Sequence, residues 1–176
     1  MTGDAMIEKM DRESFDKVYA IMDKSFPFDE IRPYDEQKKL LDNLAYSVYV
    51  TSKKDAFIAT WEFCDFVFIE HFAVAEDSRN AGLGSKILRE FLLKQDKMVC
   101  LEVELPDTKM GKRRIGFYER NGFFLNEYEY FQPPIAEGKS IVPLMIMTSK
   151  QEITKEVFEE IRNTLYREVY KYKGID

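Results

Sequence analysis

At 176 residues, 45% apolar and 33% charged, the chain is long enough to bury a core without disulfide or metal staples. Its 26 Lys and Arg against 32 Asp and Glu leave a net charge of −6, which argues against general affinity for nucleic acid or an anionic membrane and suits a cationic substrate such as an amine. No apolar run has the flanks of a signal peptide or the length of a bilayer span, so the expectation is one domain, residues 1–176, in the cytoplasm. Cys64 and Cys100 sit in apolar, strand-like surroundings and read as reduced core thiols. Their spacing fits neither a disulfide framework nor a metal-ligand set.

Met6 to Met10 predicts a short strand. Asp11 then offers an N-cap, and Phe15, Val18, Tyr19, Met22 and Phe26 recur at helical spacing until Pro27 stops them. A loop to Pro33 precedes a short helix over about Asp35 to Asn43. Ser47 to Ser52, Ala56 to Phe63 and Phe66 to Val74 predict three strands of an antiparallel meander, with turns at Lys53-Lys54-Asp55 and Cys64-Asp65. Past a glycine-rich turn, Leu83, Ile87, Leu88, Phe91 and Leu92 form the apolar face of a helix. Met98 to Leu105 predicts a buried strand stopped by Pro106, and Lys112 to Arg120 a helix with Gly122 at its C′ position. Strands follow over Phe123 to Phe131 and Ile141 to Thr148. Ser149-x-x-Glu152 reads as a capping box opening a C-terminal helix, about 152–173, with Ile153, Val157, Ile161, Leu165, Val169 and Tyr172 on one stripe. That stripe either packs on the sheet or forms a homodimer interface. Hairpins alternating with helices indicate an α+β fold with a mixed sheet.

Chemistry concentrates in Glu70-His71-Phe72-Ala73-Val74 followed by Arg79-Asn80-Ala81-Gly82-Leu83-Gly84. An apolar strand, a turn and a glycine-rich helix entry present several backbone N–H groups at one point, where they suit a phosphate. Gly82 and Gly84 let the backbone approach an anion closely, and Arg79 adds a charge. A second motif, Phe117-Tyr118-Glu119-Arg120-Asn121-Gly122-Phe123, joins a helix end to a strand. The pattern R-x-x-G-x-G after a strand, then F-Y-x-x-x-G-F about thirty-five residues on, resembles the GNAT superfamily of acyl-CoA-dependent N-acyltransferases. The order of elements resembles it along nearly the whole chain, the C-terminal helix excepted.

The resemblance implies a mostly antiparallel sheet with a V-shaped split between the strand ending at Val74 and that over Met98 to Leu105. It implies acetyl-CoA as donor, with the pantetheine arm against Phe72, Ala73 and Val74. The diphosphate would lie on Asn80, Ala81, Gly82, Leu83, Gly84 and Ser85 beside Arg79. By the same likeness Tyr118 protonates or hydrogen-bonds the leaving thiolate. Many members carry an Asn where this chain has Met110-Gly111-Lys112-Arg113-Arg114, so Arg113 or Arg114 is the expected CoA phosphate contact.

Amine acylation needs a base, and Glu70 stands on the strand leading to the turn, its face shared with Phe68 and Phe72 by alternation. Alternation sends His71 to the opposite face, where it packs or meets solvent. Glu102 and Glu104 share one face of their own strand, and either offers an alternative base or a grip on a cationic acceptor. Tyr128, Tyr130 and Gln132 suggest an aromatic wall for that acceptor. Phe26, Phe28 and Arg32 supply the opposite wall, since that region covers the acceptor site in similar proteins. The acceptor is expected to be a small-molecule or peptide amine. Two other readings stay open: a CoA-binding sensor without catalysis, and an enzyme using a longer acyl-CoA.

Overall fold

The computed structural model describes residues 6–79 and 81–174. They form two compact units. The first takes in the chain up to Pro27 and Pro33–Val99; the second takes in Phe28–Arg32 and the chain from Cys100 onward.

The first unit contains β1 (Ile7–Lys9), α1 (Phe15–Ser25), α2 (Tyr34–Lys39), β2 (Tyr46–Thr51), β3 (Ala56–Glu62), β4 (Phe66–Val74) and α3 (Leu83–Leu93). β1 pairs with β2, β2 with β3 and β3 with β4, all antiparallel, which is the expected meander. β3 is buried from Ala56 to Trp61, so both its faces are covered. α1 buries Phe15, Val18 and Met22. Ahead of it, Asp11 caps a short 3-10 turn, its Oδ1 accepting the Ser14 N–H at 2.9 Å. α3 buries Ile87, Leu88 and Phe91, the centre of its predicted face. Cys100 is buried as expected, but Cys64 is exposed. Cys64 occupies the tight turn between β3 and β4, where the chain reverses at the surface.

β4 carries one residue more than its partner. Ala59 pairs with His71 and Thr60 with Ile69, which leaves Glu70 as the extra residue of a β-bulge.

The second unit contains β5 (Met98–Val103), whose Cys100–Val103 belong to it, then α4 (Lys109–Arg120), β6 (Phe123–Gln132), β7 (Val142–Ser149) and α5 (Lys155–Thr164). β7 pairs antiparallel with β5 on one side and β6 on the other. β5 stops two residues short of the predicted Leu105. α4 starts three residues before Lys112, because Thr108 caps it: its Oγ1 accepts the Gly111 N–H at 2.9 Å. Gly122 follows with φ +89°, the left-handed stop the sequence predicts.

The Ser149-x-x-Glu152 box does not form. β7 runs through Ser149, and Thr154 caps α5 instead, its Oγ1 accepting from the Val157 N–H at 3.3 Å. The buried amide of Asn126 holds the intervening linker. Its Nδ2 donates to the Ile146 carbonyl at 3.2 Å and to Thr148 Oγ1 at 3.0 Å, and its Oδ1 accepts the Ile153 N–H at 2.9 Å. With the helix starting later, the buried stripe becomes Phe158, Ile161, Leu165 and Val169, and Val157 is exposed. A π-helical turn over Leu165–Val169 brings Tyr166 and Tyr170 inside as well. Phe158 stacks on Tyr128 of β6 at 4.9 Å between ring centroids, so the stripe packs within its own unit.

Gly111 is the tightest position of α4: a Cβ there would lie 2.1 Å from the Leu105 carbonyl oxygen. Gly111→Ala therefore lowers stability by about 1–3 kcal/mol, although alanine in a helix normally gains roughly 1 kcal/mol over glycine. Gly116→Ala, whose Cβ meets only the movable end of Arg120, keeps that gain and raises stability. Urea unfolding of both variants checks the opposite signs.

Candidate active site

β4 ends at Val74 and passes through a 3-10 turn, Glu76–Ser78, into the glycine segment. Arg79 is exposed, and its Nε donates to the Val74 carbonyl at 2.9 Å, which folds the guanidinium back along the turn. Asn80, an expected diphosphate contact, lies outside the described residues. Ala81 and Gly82 are exposed, and Gly82 adopts φ +71° immediately before α3. The first intrahelical bond of α3 runs from the Lys86 N–H to the Gly82 carbonyl at 3.2 Å. The helix itself therefore does not consume the amides of Leu83 and Gly84. No side chain caps this end, and a Cβ added to Gly82 would meet nothing within 4 Å. Backbone angle, not crowding, selects glycine here, and the outer side of the turn is open to an anion.

The turn is tied to the β2–β3 connection. The Asp55 carbonyl accepts the Ala75 N–H at 2.7 Å. Its carboxylate accepts hydroxyl protons from Thr51 at 2.5 Å and from Ser78 at 2.9 Å. Burial opposes ionisation of this carboxyl, but those two hydroxyls, its own backbone amide and the Lys53 charge together hold it below the usual carboxylate range.

Glu70 is buried, its side chain only 2% exposed, as is that of His71; Glu70 Oε2 stands 3.5 Å from His71 Nδ1. The expectation that alternation separates these two side chains fails. A bulge interrupts the two-residue alternation, so neighbouring side chains turn to the same side. Phe26 meets the His71 ring edge-on at 4.8 Å. Phe72 and Val74 are half-buried and Ala73 buried along the last turns of the strand.

In the second unit Tyr118 lies on α4, half-buried, edge-on to Phe117 and Phe123. Burial pushes its hydroxyl up to about 12, against the opposing charge of Arg114. Arg114 Nη1 donates to Glu104 Oε1 at 2.6 Å, so the residues expected on CoA phosphate and on a cationic acceptor pair with each other. Both side chains keep a third or more of their surface exposed. Such a pair contributes only about 0–1 kcal/mol and exchanges partners readily.

Tyr130 is buried. It packs on Phe158 and Tyr166, and its hydroxyl donates to Glu102 Oε2 at 2.5 Å. Tyr170 donates to the other oxygen of Glu102 at 2.5 Å. Neither partner of Glu102 was legible in sequence, since they lie 28 and 68 residues away. Tyr128 donates to the Ile153 carbonyl at 3.0 Å. Phe28 is 68% exposed, with Lys139 Nζ 3.2 Å from its ring centroid. The Gln132 amide donates to the Asp29 carbonyl at 2.9 Å, and Arg32, buried, reaches the Val169 carbonyl at 3.4 Å. The early loop is thus held by the second unit's own strands and C-terminal segment. Among the described residues no group of three or more His, Cys, Asp or Glu is placed to hold a metal, and no helix is long and apolar enough to cross a membrane.

A raised phenol pKa makes the neutral form the stabilising one. That contribution is complete below the ordinary tyrosine pKa of about 10 and is lost as pH rises through about 12. Difference-absorbance titration of wild type against Tyr118→Phe should place this ionisation near pH 12; a Tyr118 step near the ordinary value instead contradicts the burial.

Residues 44–124 match the acetyltransferase (GNAT) domain family. Over 159 residues the chain is 26% identical to YjbC of Bacillus subtilis (strain 168), named as an acetyltransferase, covering 88% of this chain and 82% of that one. A solved structure from Bacteroides thetaiotaomicron, assigned to the GNAT family, is 30% identical with a TM-score of 0.89, covering 95% of this chain and 99% of its own. A Bacillus subtilis acetyltransferase solved in complex with CoA shares the fold at 14% identity, with a TM-score of 0.58 over 82% of this chain and 97% of that one. With such likeness along nearly its full length, in sequence and in fold, the chain belongs to the GNAT family of acetyltransferases.

Proposed function

We propose that the chain acts as a single cytoplasmic N-acetyltransferase domain, moving an acetyl group from acetyl-CoA to a primary amine by direct attack in a ternary complex. The observation that carries this reading is the open turn at Gly82, with a left-handed glycine ahead of a helix whose first amides the helix leaves unused. In this reading the backbone of Phe72, Ala73 and Val74 holds the pantetheine arm. The amides of Asn80 to Ser85 and the guanidinium of Arg79 hold the diphosphate, and Arg114 exchanges Glu104 for a CoA phosphate. Acetyl-CoA supplies an acyl group already activated as a thioester.

Glu70 takes the proton that the acceptor must lose, in a buried setting beside His71. Tyr118 stays protonated throughout the neutral range. A phenol at about 12 is a much weaker acid than a thiol near ~8.5, so its role is to hydrogen-bond the departing sulfur without surrendering the proton outright. Tyr130, buried among Phe158 and Tyr166, is left out of the acceptor wall. Glu104, freed of Arg114, and the exposed ring of Phe28 receive a small-molecule or peptide amine. The net charge of −6 favours a cationic one.

The test is thiol release from acetyl-CoA across an amine library. Tyr118→Phe and Glu70→Gln should each lower kcat by about a hundredfold or more, with KM for acetyl-CoA nearly unchanged. Tight CoA binding without thiol release from any amine would make the chain a binding module, and faster turnover of propionyl- or succinyl-CoA would reassign the donor.

A further inference from the structure

We infer that Asp55 is a positioning residue for the anion-binding turn: with Thr51 and Ser78 it holds the segment from Ala75 to Arg79 in the shape that aims the amides of Leu83 and Gly84 at a diphosphate. The inference rests on the reading of the Gly82 turn given above and extends it to a residue outside the turn. Three observations support it. First, Asp55 grips the 3-10 turn at both ends, its backbone carbonyl on the Ala75 N–H and its carboxylate on the Ser78 hydroxyl. Second, Asp55 is itself fixed. Thr51 Oγ1 donates to its carboxylate at 2.5 Å and accepts its N–H at 3.1 Å, while the Thr51 carbonyl takes the Lys54 N–H at 2.9 Å. Third, the grip lies where the β3–β4 ladder ends, at the Ala56–Val74 pair, so no further strand pairing holds the chain beyond it.

The turn's own bonds are local: the Ser78 N–H donates to the Ala75 carbonyl at 2.9 Å and the Arg79 N–H to the Glu76 carbonyl at 3.3 Å, which shape the turn without fixing it to the rest of the unit. Arg79 contributes one bond to Val74, and Ala81 and Gly82 are exposed. Gly82 at φ +71° is a residue of high conformational freedom. An anion cradle made of main-chain amides works only if those amides already converge before the ligand arrives, because ordering them on binding subtracts from affinity. The Asp55 clasp supplies that order from one side. A hydroxyl donating to a carboxylate is among the stronger hydrogen bonds, so its loss should be felt about tenfold in affinity.

The experiment measures binding of coenzyme A and of pantetheine, which lacks the diphosphate, by calorimetry, together with the thermal midpoint of each variant. Ser78→Ala removes the hydroxyl link and Asp55→Asn the carboxylate. Both should bind coenzyme A about tenfold more weakly than wild type, hold pantetheine as wild type does, and keep a cooperative melt. Ser78→Thr, which restores a hydroxyl, should recover coenzyme A affinity. Unchanged coenzyme A affinity in Ser78→Ala, or equal losses for coenzyme A and pantetheine, overturns the inference while leaving the turn as the diphosphate site. Wild-type protein that binds no coenzyme A overturns both. Should Asp55→Asn fail to fold, the Ser78 pair decides alone.

Discussion

A strand with one residue more than its partner must break its alternation somewhere, and β4 does so at Glu70. That single extra residue puts a carboxylate and an imidazole side by side in the interior, a few residues before the chain leaves the ladder. Without it, Glu70 and His71 would face opposite sides of the sheet. The bulge also strengthens the local twist of the strand. The register on its far side, from His71 to Val74, is the register that sets where the glycine turn begins.

The two units treat buried charge differently. Glu70 lies beside His71, its Oε2 3.5 Å from the imidazole Nδ1. Glu102, half-buried, instead accepts from two phenols, Tyr130 and Tyr170. Burial, with the neighbouring carboxylate second, pushes the Tyr130 phenol well above its ordinary value, so it remains a donor. Because Tyr170 closes the π-helical turn, the carboxylate on β5 also anchors the C-terminal segment. Glu104, two residues on and partly exposed, meets a cation in Arg114. One strand end thus carries a carboxylate committed to the core and another held by a bond that solvent weakens.

The aromatic excess has a structural explanation. Phe158, Tyr166 and Tyr172 of the C-terminal segment interlock with Tyr128, Tyr130 and Phe131 of β6. Tyr130, which in sequence suggests a wall for the acceptor, has its ring in that interlock. Phe28 remains the exposed ring of the expected set, under the Lys139 ammonium.

Local chemistry by itself determined most elements of this protein. Alternation defined β2, and aromatic and β-branched content defined β3 and β4, to within a residue or two; helical spacing defined the buried faces of α1 and α3, and Gly122 marked a left-handed helix stop. Those features depend on neighbours within one turn or one hairpin, so the signal lies in the sequence. Only the tertiary structure decided the bulge at Glu70, the start of α5 at Lys155, and the partners of Glu102, Glu104 and Asp55. A bulge is a mismatch between two strands and leaves no mark on either alone. The capping box at Ser149 lost to Asn126, whose amide binds the linker from 27 residues away. Side chains that satisfy one another across such distances are chosen by the packed fold, because the cost of leaving a buried polar group unpaired exists only once the surrounding chain has excluded water.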